Sequence, residues 1–306
     1  MRFYLVDVFA EKPLAGNQLA VFFCDKALDT ATLQAIARET NFSETTFITG
    51  GSRSAGYDVR IFTPAHELPF AGHPVLGTAA VLMRHYNLPV SSLTLHLGVG
   101  AVTVTTVMEA GDPVYWLQGP PVDIVQTVSN EQVFEITGAS PQDIDTGFPV
   151  QRLRVGPEFS LVPFRSLRAL DAMRLDVNAH RRHFGEAVMS EVYGVSREAR
   201  DPQHDLSVRL LFDAGGVRED AATGSAAVCL GVWLLDTHYL GTTKFSLRVE
   251  QGGLIGRPST LYLKGSTTEQ RNKVSVGGRI AFIASGEWPM NSDAGQHMTD
   301  NDAGFS

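Results

Sequence analysis

What most constrains this chain is a stretch of pattern that it uses twice. Arg60-Ile-Phe, Phe70-Ala-Gly-His and Gly77-Thr-Ala-Ala-Val-Leu82 in the first half are answered in the second by Arg209-Leu-Leu and Ala222-Thr-Gly-Ser-Ala-Ala-Val-Cys-Leu230. Each copy reads as a strand, a glycine-bearing turn, a helix and then a hairpin. Their separation of roughly 150 residues is the length expected of one domain. A supersecondary unit repeated at that distance predicts two similar α+β halves within the 306 residues. The competing reading is two unrelated domains whose Gly-Ala helices coincide.

Around these copies the sequence is cut into short pieces. Strand-like runs occur at Phe3–Phe9, Leu19–Phe23, Thr45–Ile48, Tyr57–Phe62, Leu93–Leu97 and Ala101–Val107 in the first half, and at Leu206–Phe212 and Ser259–Leu263 in the second. Leu93-Thr-Leu-His-Leu97 alternates as a half-buried strand should. Asp29 or Thr30 can cap a helix that turns Leu33, Ile36 and Ala37 inward. A second helix is expected from His73, with Pro74 at its first position, where a missing N–H is harmless. A third is expected over Ala226–Leu235, opened and capped by Gly224 and Ser225. The best boundary is Gly119-Pro120-Pro121, since a Pro-Pro step ends a strand. This assigns 1–118 with about 279–289 to one unit, 119–278 to the other, and the polar stretch 290–306 to a disordered tail.

Composition excludes several function classes. Twenty-five Lys and Arg against thirty-three Asp and Glu leave a net charge of −8, which argues against nucleic-acid or anionic-membrane partners. The N-terminus meets Asp7 before a signal-peptide core can form, and the longest apolar run, Ala226–Leu235, is half a membrane span. A cytoplasmic protein is therefore expected. Two cysteines, Cys24 and Cys229, cannot build a disulfide framework, but they leave a two-thiol racemase arithmetically open. Position closes it, because neither glycine turn contains a thiol. His66-Glu67 begins like a zinc-protease motif, yet Phe70 stands where the second His belongs. His180 and His183 flank Arg181 and Arg182, which reads as a solvated basic face rather than a zinc site. No metal is expected.

Three segments concentrate groups that could do chemistry. Glu44 lies in Asn41-Phe-Ser-Glu-Thr-Thr-Phe47, between a helix end and a strand; burial there would raise its pKa and suit it to carrying a proton near neutrality. In Leu68-Pro-Phe-Ala-Gly-His-Pro74, Gly72 permits close approach of a ligand to a helix N-terminus, and His73 stands at its start. Glu219-Asp-Ala-Ala-Thr-Gly-Ser-Ala226 again joins a carboxylate, Asp220, to a glycine turn (Gly224) and Ser225. Two such N-termini facing each other across a cleft would hold a small carboxylate.

On these segments the chain is similar to the phenazine-biosynthesis isomerase (PhzF) family, which resembles diaminopimelate epimerase in fold. The matching stretches are Asp7-Val-Phe, Gly16-Asn17, Asn41–Phe47, Arg60-Ile-Phe-Thr-Pro64, Glu67–Pro74, Glu219–Ala226, Gln251-Gly-Gly and Gly256-Arg-Pro-Ser259. Many members carry Asp-Pro-Ala-Thr-Gly-Ser where this chain has Ala221 in place of the proline. The resemblance implies two pseudo-symmetric halves, each a β-barrel-like sheet around a central helix, and a homodimer that uses no cofactor. It further implies that Glu44 shuttles the proton, that His73, Asp220 and Ser225 contact the substrate, and that the amides around Gly72 and Gly224 cradle it. The implied reaction converts trans-2,3-dihydro-3-hydroxyanthranilate into an aminoketone by a proton shift and tautomerisation. Two alternatives stand beside it: an isomerase or epimerase of another small amino or carboxylic acid, and a non-enzymatic dimer that binds a small carboxylate.

Overall fold

A computed structural model describes residues 1–89, 91–189, 191–267 and 272–289; the stretch assigned to a disordered tail lies outside them. The first half begins with strands β1 (Arg2–Val8) and β2 (Asn17–Phe23), helix α1 (Thr30–Thr40) and strands β3 (Glu44–Ser52), β4 (Gly56–Phe62) and β5 (Glu67–Leu68). Helix α2 (Gly72–His85) follows, then β6 (Ser92–Leu97), β7 (Gly100–Glu109) and β8 (Asp112–Gln118). The second half opens with β9 (Asp123–Val128), α3 (Asn130–Thr137), β10 (Val150–Arg154) and β11 (Glu158–Phe164). It continues through α4 (Leu167–Ala172), α5 (Val177–Phe184), β12 (Glu191–Ser196), β13 (Leu206–Asp213), β14 (Val217–Asp220) and α6 (Gly224–Asp236). The last strands are β15 (Lys244–Gln251), β16 (Ser259–Thr267), β17 (Asn272–Gly278) and β18 (Ile280–Glu287).

Strand pairing confirms the repeat. In the first half β2 runs parallel to β3, β4 antiparallel to β3, and β6 parallel to β4, before β7 and β8 complete an antiparallel meander. In the second half β11, β12, β13, β15, β16 and β17 repeat that order and those directions. The outer strands β18 and β9 pair with β1 and β10. The halves are joined along β8 and β17, with Ser275 opposite Gln118. The fold is therefore α+β with two pseudo-symmetric halves. The sheet is continuous and does not close: β8 and β17 spend their free edges on each other, so each half stays an open sheet curled around one helix.

Those central helices are α2, whose residues Gly72 to Met83 are all buried, and α6, buried over nearly all its length. A helix apolar on every face must sit inside, and each here lies within its half's sheet. Helix α2 begins at Gly72 with Ala71 as its cap residue, one to two positions before the expected start, so Pro74 is its third residue. Helix α6 begins at Gly224 with Thr223 in the cap position, so Ser225 is not the cap. The reading of His180 as part of a solvated face is also corrected. It is 1% exposed and packs on Phe184, because α5 turns Ala179 and His180 toward the second-half core.

The turn at Gly16 shows how tightly β1 and β2 are joined. Gly16 has φ +68°, and a Cβ there would lie 2.3 Å from the Val8 carbonyl oxygen. Gly16→Ala therefore combines left-handed strain with a backbone clash, and it is expected to destabilise the protein by about 1–3 kcal/mol in denaturant titrations. An unchanged midpoint would refute this account of the turn.

Candidate active site

Glu44 is fixed by what precedes it. Asp29 caps α1 by accepting from the Thr32 N–H, and Asn41 ends the helix in the left-handed region. Thr40 at the helix end and Thr45 on the new strand share a hydroxyl hydrogen bond of 2.8 Å. That clasp sets the first residue of β3, Glu44, at the start of α2. Glu44 Oε2 lies 3.4 Å from His73 Nε2, and both atoms are buried without a hydrogen-bond partner.

The spacing looks like an ion pair, but the electrostatics make it a neutral one. Burial, and secondarily the charge of Asp220, push the Glu44 carboxyl up to about 8. Burial pulls His73 down to about 3, against the opposing effect of a hydrogen bond to the Gln18 backbone. At neutral pH the carboxyl is mostly protonated and the imidazole uncharged. The site thus stores a proton on Glu44 next to an uncharged imidazole.

Asp220 ends β14 and faces the same place from the other half. Burial raises it to about 6, while hydrogen bonds from Thr223, Ala221, Asn17 and Ala222 hold it back toward the carboxylate form. Asn17 Nδ2 donates 3.0 Å to Asp220 Oδ1 and 2.9 Å to the Ala222 carbonyl, linking the start of β2 to the second half. Thr223 Oγ1 donates to Asp220 Oδ2 at 2.5 Å. Gln251 Nε2 donates to the Asp220 carbonyl at 3.1 Å and to Thr223 Oγ1 at 3.0 Å, and its Oε1 accepts from the Thr223 N–H. Asn17, Thr223 and Gln251 were not singled out as site residues from sequence. All three stand in the matching stretches, Thr223 within Glu219–Ala226, and that is the available signal.

The two helix N-termini do face each other. A Cβ on Gly72 would lie 3.6 Å from Gly224 Cα and 3.7 Å from the Ser225 amide nitrogen. Neither helix has a side chain bonded to its first amides, since Ala71 has none to offer and the Thr223 hydroxyl is used on Asp220. Free first-turn N–H groups at two converging helices suit a carboxylate. Glu44, His73, Asp220, Gly72, Gly224 and Ser225 are therefore brought to one place, and Cys24 and Cys229 are not. Cys229 is buried four residues beyond Ser225, and burial raises both thiols, that of Cys24 to about 11.

The space between the halves is narrow. A cavity of about 10 Å³ lies beside Gly72, Gly224 and Ser225. A surface groove of about 560 Å³ lies at Arg60, Glu67 and His96, away from these groups. The buried, unpartnered acid and base mark the site; in the groove Arg60 and Glu67 are already paired with each other.

Residues 6–286 match the family described as phenazine biosynthesis-like protein. This chain belongs to it. A trans-2,3-dihydro-3-hydroxyanthranilate isomerase of Pseudomonas fluorescens is 35% identical over 288 residues, covering 93% of this chain and 98% of that protein. A solved PhzF-family phenazine biosynthesis protein of Bacillus anthracis superposes with a TM-score of 0.83 at 21% identity, covering 95% of this chain and 99% of the other. A hydroxyproline epimerase of Agrobacterium vitis shares the fold at a TM-score of 0.61 and 12% identity, over 94% of this chain and 91% of its own. Among the described residues no helix is long and apolar enough to cross a membrane.

Proposed function

We propose that this PhzF-family protein is an isomerase acting on trans-2,3-dihydro-3-hydroxyanthranilate, with Glu44 as the group that carries the proton. One observation carries the reading: a buried carboxyl raised to about 8 stands 3.4 Å from a neutral imidazole where two uncapped helix N-termini meet. The substrate carboxylate is held by amides of the first turns of α2 and α6, which attract anions in a protein whose net charge is −8. Asp220 receives the amino group, and His73 and Ser225 take the remaining polar atoms. Pockets for small molecules run from about 300 Å³ upward, so binding requires Gly72 and Gly224 to move apart and the halves to reclose on the ligand.

Glu44, ionised on binding, takes the proton from the ring carbon bearing the hydroxyl and returns it on the same face to the carbon bearing the carboxylate. One carboxyl suffices, acting first as base and then as acid, while the ring is held in place. The product enol then ketonises to the aminoketone. Every group in this scheme belongs to the chain.

The purified protein mixed with this substrate in D₂O, followed by NMR, tests the proposal. Substrate should disappear, and the carboxylate-bearing carbon of the product should carry less deuterium than the solvent, because a buried carboxyl returns the hydrogen it took. Full solvent labelling at that carbon would reject the closed shuttle. No reaction at high enzyme concentration would reject the substrate.

A further inference from the structure

The register that places Glu44 has a counterpart in the second half. Phe47 on β3 pairs with Arg60 on β4, and Gly194 on β12 pairs with Arg209 on β13. Each arginine then holds a glutamate on the next strand, Glu67 or Glu219. Three residues before Phe47 stands Glu44; three before Gly194 stands Glu191. Both open a strand that runs parallel to the one before it in the sheet. Glu191 is the only other carboxyl that the pseudo-symmetry brings to this level among the described residues.

Its surroundings are those of a working group rather than a structural one. Glu191 is 9% exposed, and its Oε2 is buried without a hydrogen-bond partner, as is that of Glu44. Two residues along the same face of β12, Tyr193 lies in one row with Leu210 and Asp220. The groups that feel or exert charge on Glu191 are Asp220 and Cys229, the latter one turn past Ser225 on α6. Glu191 therefore stands on the sheet face that carries Asp220, two residues along β12 from the row that holds it. A buried carboxyl oxygen without a partner costs stability that an apolar residue would not. Burial, and then Asp220, push it up to about 7, so it keeps a proton to give near neutrality.

We infer that Glu191 is a second proton-carrying group of this site, the counterpart in the second half of Glu44. The inference rests on the isomerase reading above. The Glu44 shuttle leaves an enol, and ketonisation must form one C–H bond at the adjacent ring carbon and break the enol O–H bond, with no change of oxidation state overall. Glu191 does both: its protonated oxygen gives the hydrogen to carbon, its other oxygen takes the enol proton, and the carboxyl ends as it began.

Glu44→Gln, Glu191→Gln and Glu191→Asp separate the two roles, with the wild-type protein, in D₂O. In wild type the ketonised carbon should gain deuterium on one face. Glu191→Gln is expected to lower the rate of ketone formation at least tenfold, with enol accumulating in the ultraviolet spectrum and label on both faces. Glu191→Asp should recover part of the rate and of the facial preference. A merely structural role would slow the reaction without scrambling the label. Single-face labelling in Glu191→Gln overturns the inference, and where that variant does not fold, a Glu191→Asp variant with the wild-type rate and facial preference does. Full activity of Glu44→Gln would instead sink the shuttle, and an inert wild type the substrate.

Discussion

Glu44→Gln is expected to lower kcat by about 10²–10⁴ while leaving the affinity for a substrate carboxylate within a fewfold of wild type. The amide keeps the shape and the contact with His73 but cannot take up or release the proton. Steady-state rates with calorimetric binding of an unreactive analogue check both halves, and a variant within tenfold of wild type would end the assignment. The pH dependence has a definite sign. The base form of Glu44 exists above its raised value of about 8, so wild-type kcat/KM should rise with pH toward that value and fall as pH drops below it. Stability runs the opposite way. Between the ordinary glutamate value of 4.5 and about 8 the unfolded chain ionises at this position and the folded chain does not. The unfolded state therefore binds fewer protons there, and folding loses stability as pH rises through that window. Glu44→Gln removes this dependence, so the variant should gain on wild type in denaturant midpoint between pH 5 and pH 8.

Much of this was legible in the sequence for physical reasons. The repeat around Arg60 and Arg209 could be read because each half needs the same strand, tight turn and buried helix, and small residues at helix starts leave little freedom of choice. Glu44, His73, Asp220 and Ser225 could be read because they sit within a few residues of those turns. The helix starts were misread by one or two residues. His73 and Ser225 resemble caps, but the true cap positions, Ala71 and Thr223, leave the first amides free, and that depends on what Asp220 draws away from Thr223. Asn17 acts on Asp220 from more than two hundred residues away, a relation that no local pattern carries. Glu191 was hidden because its strand shares little with that of Glu44 beyond the glutamate, and because the loop to the next strand is longer in its half (197–205 against 53–55). His180 was misread because Arg181 and Arg182 dominate the local charge, whereas helical periodicity decides which face is buried.

Arg209→Met is expected to cost about 3–5 kcal/mol, and Arg60→Met no more than about 1 kcal/mol, although the two arginines occupy the same place in the repeat. The difference is burial. Arg60 and Glu67 have side chains 30% and 38% exposed, so water replaces whatever is removed. Arg209 and Glu219 are 9% and 7% exposed, with 2.7 Å between Nη2 and Oε2. The Arg209 guanidinium also donates to the carbonyls of Leu170, Asp171 and Met173 at 3.0, 2.8 and 3.1 Å. Its loss would strand a buried carboxylate and remove donors from the end of α4. Removing Glu219 as well, in Arg209→Met with Glu219→Leu, should restore only part of the stability, because the three carbonyls remain without their donor. The consequence for function follows from chain order: Glu219 immediately precedes Asp220 on β14, a strand of four residues. A folded Arg209 variant should therefore lose affinity for substrate, while Arg60→Met keeps it. Denaturant titrations of both variants, with their KM values, decide the matter, and equal costs at the two positions would show that burial is not what sets them apart.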